Sequence, residues 1–301
     1  MNPVITTHEL GKTYGGHTVV DGLDLHVPQG CVYGFLGPNG SGKSTTMKML
    51  LSLVRPTRGE IHLLGRPMLR STRRTLLRDV GALIESPPGY GHLTGGENLR
   101  LLQRLLDLTD AQVTRAVHTV RLQGHLDKRV RDYSLGMKQR LGIAMALARE
   151  PRLLILDEPT NGLDPAGIEE IRDLLTRLAA GGTTVMVSSH LLGEIDRTAG
   201  VLGILGGGRL LFQGRREQLL ARSVPDVLVD TSDPRRAASV TAGAHPTRLD
   251  GATVRVSGLD RASTARMVTA LVTAGVGVHG VRREEQSLED VFMALTGGRG
   301  L

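Results

Sequence analysis

Residues 37–44 read Gly37-Pro38-Asn39-Gly40-Ser41-Gly42-Lys43-Ser44, which matches the G-x-x-x-x-G-K-[ST] pattern of a phosphate-binding loop. The loop follows an alternating apolar stretch that ends at Leu36, and it precedes residues 44–54, whose apolar side chains recur at helical spacing. A strand, a glycine loop and a helix in this order are the context that the pattern requires. Glycines let backbone N–H groups approach phosphates closely, so Lys43 is expected to neutralise the terminal phosphates and Ser44 to ligate Mg²⁺.

A second stretch supplies the carboxylates that such a loop needs. The run Leu153–Leu156 is wholly apolar, which is typical of a parallel strand buried on both faces, and Asp157 and Glu158 follow it directly. We expect Asp157 to hold Mg²⁺. Glu158, one residue further, points to a different side and is expected to polarise an attacking water.

Three further segments follow in an order that resembles the ATP-binding subunits of ABC transporters. The segment Tyr133-Ser134-Leu135-Gly136-Met137-Lys138-Gln139-Arg140 resembles the family's signature motif, 159–165 resembles its D-loop, and Ser189-His190 resembles its switch histidine. Together with the phosphate loop and the Asp-Glu strand, these motifs cover residues 4 to about 215.

The resemblance implies an α/β fold: a phosphate-loop NTPase cassette with a mixed central sheet, an antiparallel β subdomain and a helical subdomain. We expect the nucleotide-binding domain to span residues 1–221, with the helical subdomain at about 87–150. A small C-terminal α/β domain is expected at 222–301, where strands at 252–256 and 276–282 and a helix at 261–274 are predicted. Residues 230–248 are rich in Ser, Thr, Ala, Pro and Arg, and no element is predicted for 232–248.

The resemblance also implies the site residues and their roles. Glu158 and His190 are the candidate catalytic residues, with His190 holding Glu158 and the water in line. Ser44, Asp157 and Glu85 are the candidate Mg²⁺ ligands. Tyr14 is expected to stack on adenine. The candidate contacts to ATP are Tyr14, Gly37, Pro38, Asn39, Gly40, Ser41, Gly42, Lys43, Ser44, Thr45, Ser134 and Gly136.

Two motifs depart from the family's usual residues. Leu135 and Met137 replace a glycine and a glutamine of the usual signature LSGGQ, and Glu85 stands where the family has Gln in the loop that links ATP to the membrane subunit. A carboxylate ligates Mg²⁺ more strongly than an amide does, although it adds negative charge beside the γ-phosphate. Glu85, the segment 93–99 and the altered signature together resemble bacterial exporters that confer resistance to bacitracin and lantibiotics.

The composition bears on partners. The chain of 301 residues carries a net charge of +7, with 32 Arg and five Lys and no run of five or six basic residues, so we interpret the excess as an Arg-biased solvated surface and expect no nucleic acid. A single Cys, Cys31, fits a reducing compartment. No signal peptide and no membrane span are predicted, which places any membrane part in another chain.

The expected protein is therefore the ATPase of a bacterial ABC exporter of an antibiotic, peptide or drug-like substrate. We expect it at the cytoplasmic face of the membrane, bound to a separate integral membrane subunit. We also expect a homodimer of cassettes, with ATP shared between the phosphate loop of one copy and the signature of the other. The alternative is a soluble ABC ATPase that acts on ribosomes or nucleic acid, for which the basic composition is the support.

Overall fold

The computed structural model describes residues 3–85, 87, 89–190, 192–195, 198–221, 225–284 and 288–296. Its backbone contacts separate a first unit, which runs to Arg216, from a second unit, Glu217–Ala294. Ser86 and Pro88, next to the expected metal ligand Glu85, lie outside the described residues.

The first unit alternates strands and helices along most of its length. In chain order its elements are β1 (Pro3–Tyr14), β2 (His17–Leu23), β3 (His26–Pro28), β4 (Val32–Leu36), α1 (Lys43–Leu50), β5 (Arg58–Leu63), β6 (Arg66–Pro67), α2 (Arg73–Leu76), β7 (Val80–Leu83), α3 (Gly95–Leu106), α4 (Asp110–Thr119), α5 (Leu135–Leu147), β8 (Leu153–Leu156), α6 (Pro165–Ala180), β9 (Thr184–Ser189), α7 (Leu192–Ile195), β10 (Val201–Gly206) and β11 (Arg209–Arg215).

A six-stranded sheet in the order β11-β10-β4-β9-β8-β7 forms the centre of this unit. The pairs from β10 to β7 are parallel, and β11 joins β10 in the antiparallel direction. All four residues of β8 are buried, as expected for a strand covered on both faces. Because the carboxyl ends of parallel strands meet at one edge, the residues that follow β4, β7, β8 and β9 are brought to the same side of the sheet.

The expected mixed sheet, antiparallel region and helical region are all confirmed. In the antiparallel sheet, β1 pairs with β2, β3 and β5, and β5 pairs with β6. The helices α3, α4 and α5 lie between β7 and β8 in the chain. Thr94 begins α3 in a capping box, in which its side chain accepts from the Glu97 N–H and Glu97 accepts from the Thr94 N–H.

The second unit consists of α8 (Arg216–Leu220), β12 (Asp226–Thr231), α9 (Pro234–Ala242), β13 (Thr247–Asp250), β14 (Thr253–Val256), α10 (Arg261–Thr273), β15 (Val278–Glu284) and α11 (Leu288–Leu295). Its four strands form an antiparallel sheet in the order β13-β14-β12-β15. The second unit therefore contains two strand-and-helix repeats in a β-α-β-β-α-β arrangement, formed in chain order by β12, α9, β13, β14, α10 and β15.

Part of this unit differs from the expectation. Helix α9 and half of β13 lie in the compositionally biased residues 232–248, for which no element was predicted. Strand β12 was not predicted either, and β15 begins two residues later than predicted. Pro234 at the first turn and Asp233, which accepts from the Arg236 N–H, start α9. Its buried Ala237 joins a core with Val227, Val254 and Leu271. Small residues therefore form a packed helix here, because only one narrow face needs to be apolar.

Throughout the described ranges, no helix combines the length and the apolar character required to cross a bilayer.

Candidate functional site

The glycine loop connects β4 to α1 and is shaped for an anion. Gly40 and Gly42 have φ of 78° and 100°, in the left-handed region that favours glycine. A Cβ on Gly42 would lie 2.9 Å from the carbonyl oxygen of Val19, so the backbone also passes too close for a side chain. Pro38 accepts from the Ser41 N–H at 3.1 Å, which closes a turn whose tip, Asn39 and Gly40, is exposed.

Several polar groups of the loop have no protein partner. Within the described residues, the N–H groups of Gly40, Gly42, Lys43 and Ser44 donate to no protein acceptor. The buried Ser41 hydroxyl likewise lacks a hydrogen-bond partner there. Ser44 and Thr45 belong to the first turn of α1, where unpaired N–H groups and the helix dipole together favour an anion. The loop therefore fits a phosphate group.

Lys43 lies at the centre of this arrangement. It is 5% exposed, and its ammonium donates to the carbonyl oxygens of Gly37 at 2.7 Å and Pro38 at 3.3 Å. Its Nζ also lies 3.8 Å from Oε1 of Glu158. Burial lowers the pKa of the Lys43 ammonium, while the negative charges of Glu158 and Asp157 act in the opposite direction.

The carboxylates after β8 are held by a serine of the neighbouring strand. The Ser188 hydroxyl donates to Oδ1 of the buried Asp157 at 2.6 Å and accepts from the Glu158 N–H at 2.9 Å. Glu158 adopts φ of 48°, a strained value for a residue with a side chain, and its Oε2 lies 2.9 Å from Nδ1 of His190. The structure thus brings the two expected catalytic residues, Glu158 and His190, into direct contact beside Lys43.

Ser188 was missed by the sequence reasoning. It lies in β9, directly opposite β8 in the parallel ladder, so its hydroxyl can reach both residues that follow β8. The available signal was a pair of serines, Ser188 and Ser189, after the apolar run of β9, because buried hydroxyl groups need partners.

Glu85, the third expected metal ligand, follows β7 with φ of 68°. Its carboxylate is ion-paired with Lys48 of α1, and its side chain is 66% exposed. No group of three or more His, Cys, Asp or Glu residues suited to a metal ion occurs among the described residues. A Mg²⁺ ion at this edge would need the candidate ligands Ser44, Asp157 and Glu85 to be joined by oxygens from phosphates or water, which is how this ion is commonly held.

Tyr14, the expected adenine platform, ends β1 at the hairpin that leads to β2. Its side chain is 47% exposed. The Lys12 ammonium lies 4.7 Å from the centre of the ring and donates to the Arg55 carbonyl oxygen at 2.8 Å. An exposed ring with a cation on one face has the other face available for stacking.

The expected signature residues form a separate set. Ser134 begins α5 and accepts from the Met137 N–H at 3.2 Å, which leaves other N–H groups of the first turn available to an anion. Leu135 is 42% exposed, and a Cβ on Gly162 would lie 2.8 Å from its Cδ2. A Cβ on Gly136 would meet nothing nearer than 3.7 Å. A groove lined by Ser134, Leu135, Gly136 and residues of 162–167 contains no residue of the phosphate loop.

Comparisons with known proteins agree with this arrangement of motifs. The model of the family described as ABC transporter matches residues 20–161. The chain is 42% identical to the bacitracin transport ATP-binding protein BcrA of Enterococcus faecalis, over 100% of the chain and 99% of that protein. It is 38% identical to BcrA of Bacillus licheniformis over 99% of both chains. The lantibiotic transport ATP-binding protein SrtF of Streptococcus pyogenes is 41% identical over 70% of the chain and 90% of that protein.

Solved structures of ABC transporter ATP-binding subunits share this fold. An ATP-binding subunit of an ABC transporter superposes with a TM-score of 0.66 at 30% identity, covering 73% of this chain and 92% of that one. CbiO1 of Clostridium perfringens, part of an ABC transporter complex, superposes with a TM-score of 0.68 at 26% identity, covering 74% and 92%. None of these similarities supports the alternative of a ribosome- or nucleic-acid-directed ATPase.

Proposed function

Because the chain belongs to the ABC transporter family, as an ATP-binding subunit that hydrolyses ATP, we propose that it powers the export of a peptide antibiotic or a drug-like molecule from a bacterium. The observation that carries the proposal is the similarity to two bacitracin transport ATP-binding proteins along the whole chain. This similarity extends through residues 222–301. We propose that these residues form a C-terminal domain distinct from the cassette, which comprises residues 1–221.

ATP binds, in this proposal, with its phosphates against the glycine loop. The unpaired N–H groups of Gly40, Gly42, Lys43 and Ser44, and the Ser41 hydroxyl, are suited to donate hydrogen bonds to phosphate oxygens. Lys43, held by two loop carbonyl oxygens, brings its charge to the same place. Pro38, Asn39 and Thr45 shape the loop and the first helical turn, and Tyr14 offers its ring to adenine.

Glu158 serves as the general base. Its carboxylate accepts the proton of the attacking water, and His190, at 2.9 Å, fixes the direction of that carboxylate. The bond from the Glu158 N–H to Ser188 holds the main chain in its strained conformation, so the carboxylate is positioned before ATP arrives. Ser188 is therefore a positioning residue, and it acts on Asp157 in the same way.

Mg²⁺ would be held by Ser44 and Asp157, whose hydroxyl and carboxylate oxygens suit this hard cation. When bound, the ion neutralises charge on the β- and γ-phosphates. Glu85 is the third proposed ligand, and its ion pair with Lys48 must loosen for its carboxylate to turn toward the metal.

Two further partners complete the proposed assembly. Ser134 and Gly136 form an anion site that is separate from the phosphate loop, so a second copy of the chain is needed to bring a signature helix to each ATP. An integral membrane subunit provides the transport path. The chain then acts as a peripheral protein at the cytoplasmic face of the membrane, and ATP-driven closure of the two cassettes shifts the conformation of that subunit.

The test is reconstitution of resistance. The chain is expressed in a sensitive bacterium together with the membrane protein that copurifies with it, and growth is measured against bacitracin, a lantibiotic and daunorubicin. We expect the minimum inhibitory concentration of at least one compound to rise, and the rise to disappear with Lys43→Ala.

An unchanged inhibitory concentration for all three compounds, with both proteins present in the membrane, would contradict the proposed cargo class. ATPase activity that responds to DNA or ribosomes and not to the membrane protein would contradict the coupling to export. Glu289→Gln, at an exposed carboxylate in α11 of the second unit, is the matched control for expression and folding.

A further inference from the structure

The segment Arg66–Arg78 concentrates positive charge on one part of the first unit. It contains five arginines and no acidic residue. All five, namely Arg66, Arg70, Arg73, Arg74 and Arg78, are exposed. A segment of 13 residues with five like charges repels itself, so its energy falls when an anionic partner approaches.

These arginines have no ion-pair partner within the described residues. Some arginines elsewhere in the chain are paired: Arg115 with Glu150, Arg140 with Glu170, and Arg255 with three carboxylates. Two acidic residues lie close to the segment, Glu60 in the adjoining groove and Asp79 directly after Arg78, but neither forms an ion pair with these five arginines. The five guanidinium groups are therefore free to bind an external anion.

The segment borders a groove of about 870 Å³ beside the C-terminal end of α1 and the strands β5 and β6. Arg55, Arg58, Arg70 and Arg73 line it together with Glu60 and other residues of both strands. Arg58 is already paired with Glu9 and Asp21, so the remaining arginines carry the free positive charge of the groove. Arg73 also borders a neighbouring depression with Arg74, Arg78 and Arg149. We call these residues and the segment Arg66–Arg78 the arginine groove. The phosphate loop lies at the other end of α1, about 12 Å away along an eight-residue helix, so the groove is separate from the nucleotide site.

Two exposed leucines accompany the charges. Leu69, in the groove, is 54% exposed, and Leu53, the neighbour of the groove residue Ser52, is 65% exposed. Large aliphatic side chains beside arginines are typical of surfaces that rest on a lipid headgroup layer, where the apolar groups enter the acyl boundary and the cations meet phosphates.

We propose that the arginine groove binds anionic phospholipid headgroups at the membrane surface. Guanidinium groups bind phosphate in a bidentate manner, and the five arginines of the segment match the number of basic residues typical of sites for anionic lipids. No Tyr or Phe lines the groove, so the stacking platform that single-stranded nucleic acid requires is missing from it. The inference goes beyond the proposed export function, because it gives the chain a membrane contact of its own.

The test is flotation of the purified full-length chain with vesicles, without nucleotide and without a membrane subunit. Vesicles of phosphatidylcholine are compared with vesicles that contain 30 mol% phosphatidylglycerol. We expect binding to the second kind, and a loss of that binding in high salt, because screening weakens the attraction of arginines for an anionic surface. The test variant replaces four of these arginines: Arg70→Gln/Arg73→Gln/Arg74→Gln/Arg78→Gln. It is expected to lower the partition coefficient onto anionic vesicles at least ~100-fold, because each arginine contributes a factor of about five.

The matched control is Arg235→Gln/Arg236→Gln/Arg261→Gln/Arg266→Gln, which removes the same charge from exposed positions of the second unit. It is expected to keep most of the vesicle binding. Leu53→Ser/Leu69→Ser is expected to lower partitioning at least ~5-fold through lost apolar burial while leaving the binding of a DNA oligonucleotide unchanged. Thermal unfolding and ATPase activity show whether each variant is folded.

Three results would overturn the proposal: equal binding to both kinds of vesicle, an equal loss of binding in the two arginine variants, or tighter binding to the DNA oligonucleotide than to anionic vesicles. Equal binding to both kinds of vesicle would indicate that the groove binds an acidic segment of a protein partner and not a lipid surface. Because vesicle binding requires no ATP turnover, failure of this test is distinguishable from failure of the export function.

Discussion

Replacement of Glu158 by Gln tests the proposed chemistry most directly. The substitution keeps the size of the side chain and removes its charge at a point 2.9 Å from Nδ1 of His190 and 3.8 Å from Nζ of Lys43. A glutamine amide cannot accept the proton of water. Hydrolysis therefore loses its general base, whereas the groups that hold the phosphates remain in place.

The size of the effect follows from these contacts. Loss of a general base lowers kcat by about 10²–10⁴-fold. That corresponds to about 3–5 kcal/mol in activation free energy. The attraction between Glu158 and Lys43 that is lost amounts to ~4 kcal/mol at an effective dielectric constant of 20, before screening is considered. Solvent reduces this energy, because the Glu158 side chain is 22% exposed. The substitution also removes the repulsion between Glu158 and the negative phosphates, which offsets the lost attraction to Lys43. We therefore expect ATP to bind as tightly as before or more tightly.

Single-turnover hydrolysis and equilibrium binding of a fluorescent ATP analogue measure the two quantities separately. The expected result is a kcat at least ~100-fold lower with a Kd within about threefold of wild type, and the control Glu289→Gln should change neither. A kcat that stays within about threefold of wild type would refute the assignment of Glu158 as the base. A Kd that rises in parallel with the loss of rate would show that the carboxylate acts by holding the loop.

Four other outcomes follow from the structure. Gly42→Ala should lower the free energy of unfolding by about 1–3 kcal/mol more than Gly40→Ala does in denaturant titrations, because a Cβ at the first position meets a carbonyl oxygen at 2.9 Å and at the second meets open space. Ser188→Ala should destabilise the fold by about 1–3 kcal/mol and lower kcat more than it changes KM, since it leaves Asp157 without its buried donor. Tyr14→Ala should raise the Kd for ATP about tenfold, and Tyr14→Phe should keep it near wild type. Burial raises the pKa of the Cys31 thiol to about 11, so its alkylation should remain slow at neutral pH and accelerate until about that pH, because the thiolate is the reactive form.

The first unit was predictable because its local patterns agree with its tertiary structure. The wholly apolar Leu153–Leu156 forms a buried strand, and the glycine loop lies between β4 and α1, since each pattern permits few alternatives. The segment 232–248 was not predictable in the same way. Its helix α9 contains Ala, Ser, Val and Thr, and its amphipathic character becomes evident once Ala237 faces the core formed with Val227 and Val254.

The candidate site, too, could be predicted only in part from the sequence. The motif positions alone identified Lys43 and Glu158 as candidates, but the roles of Ser188 and Lys48 depend on contacts between residues that are 30 or more positions apart. Ser188 reaches Asp157 because β8 and β9 are adjacent and parallel, and that adjacency is a property of the sheet order. Sequence reasoning names the residues that react, whereas the fold determines which residues position them.

The net charge of +7 has a different meaning once the fold is considered. The sequence shows no run of five or six basic residues, which favoured a dispersed, solvated surface. Yet Arg66–Arg78 carries five positive charges without a negative one, so the remaining 288 residues have a net charge of only +2. The intervening residues separate these arginines in the chain, but the short strand β6 and helix α2 fold the segment into a compact turn and place it beside Arg55 and Arg58. Five positive charges gathered in this way act together as one patch, and if the chain works beside a membrane, as proposed, this patch has an anionic surface within reach.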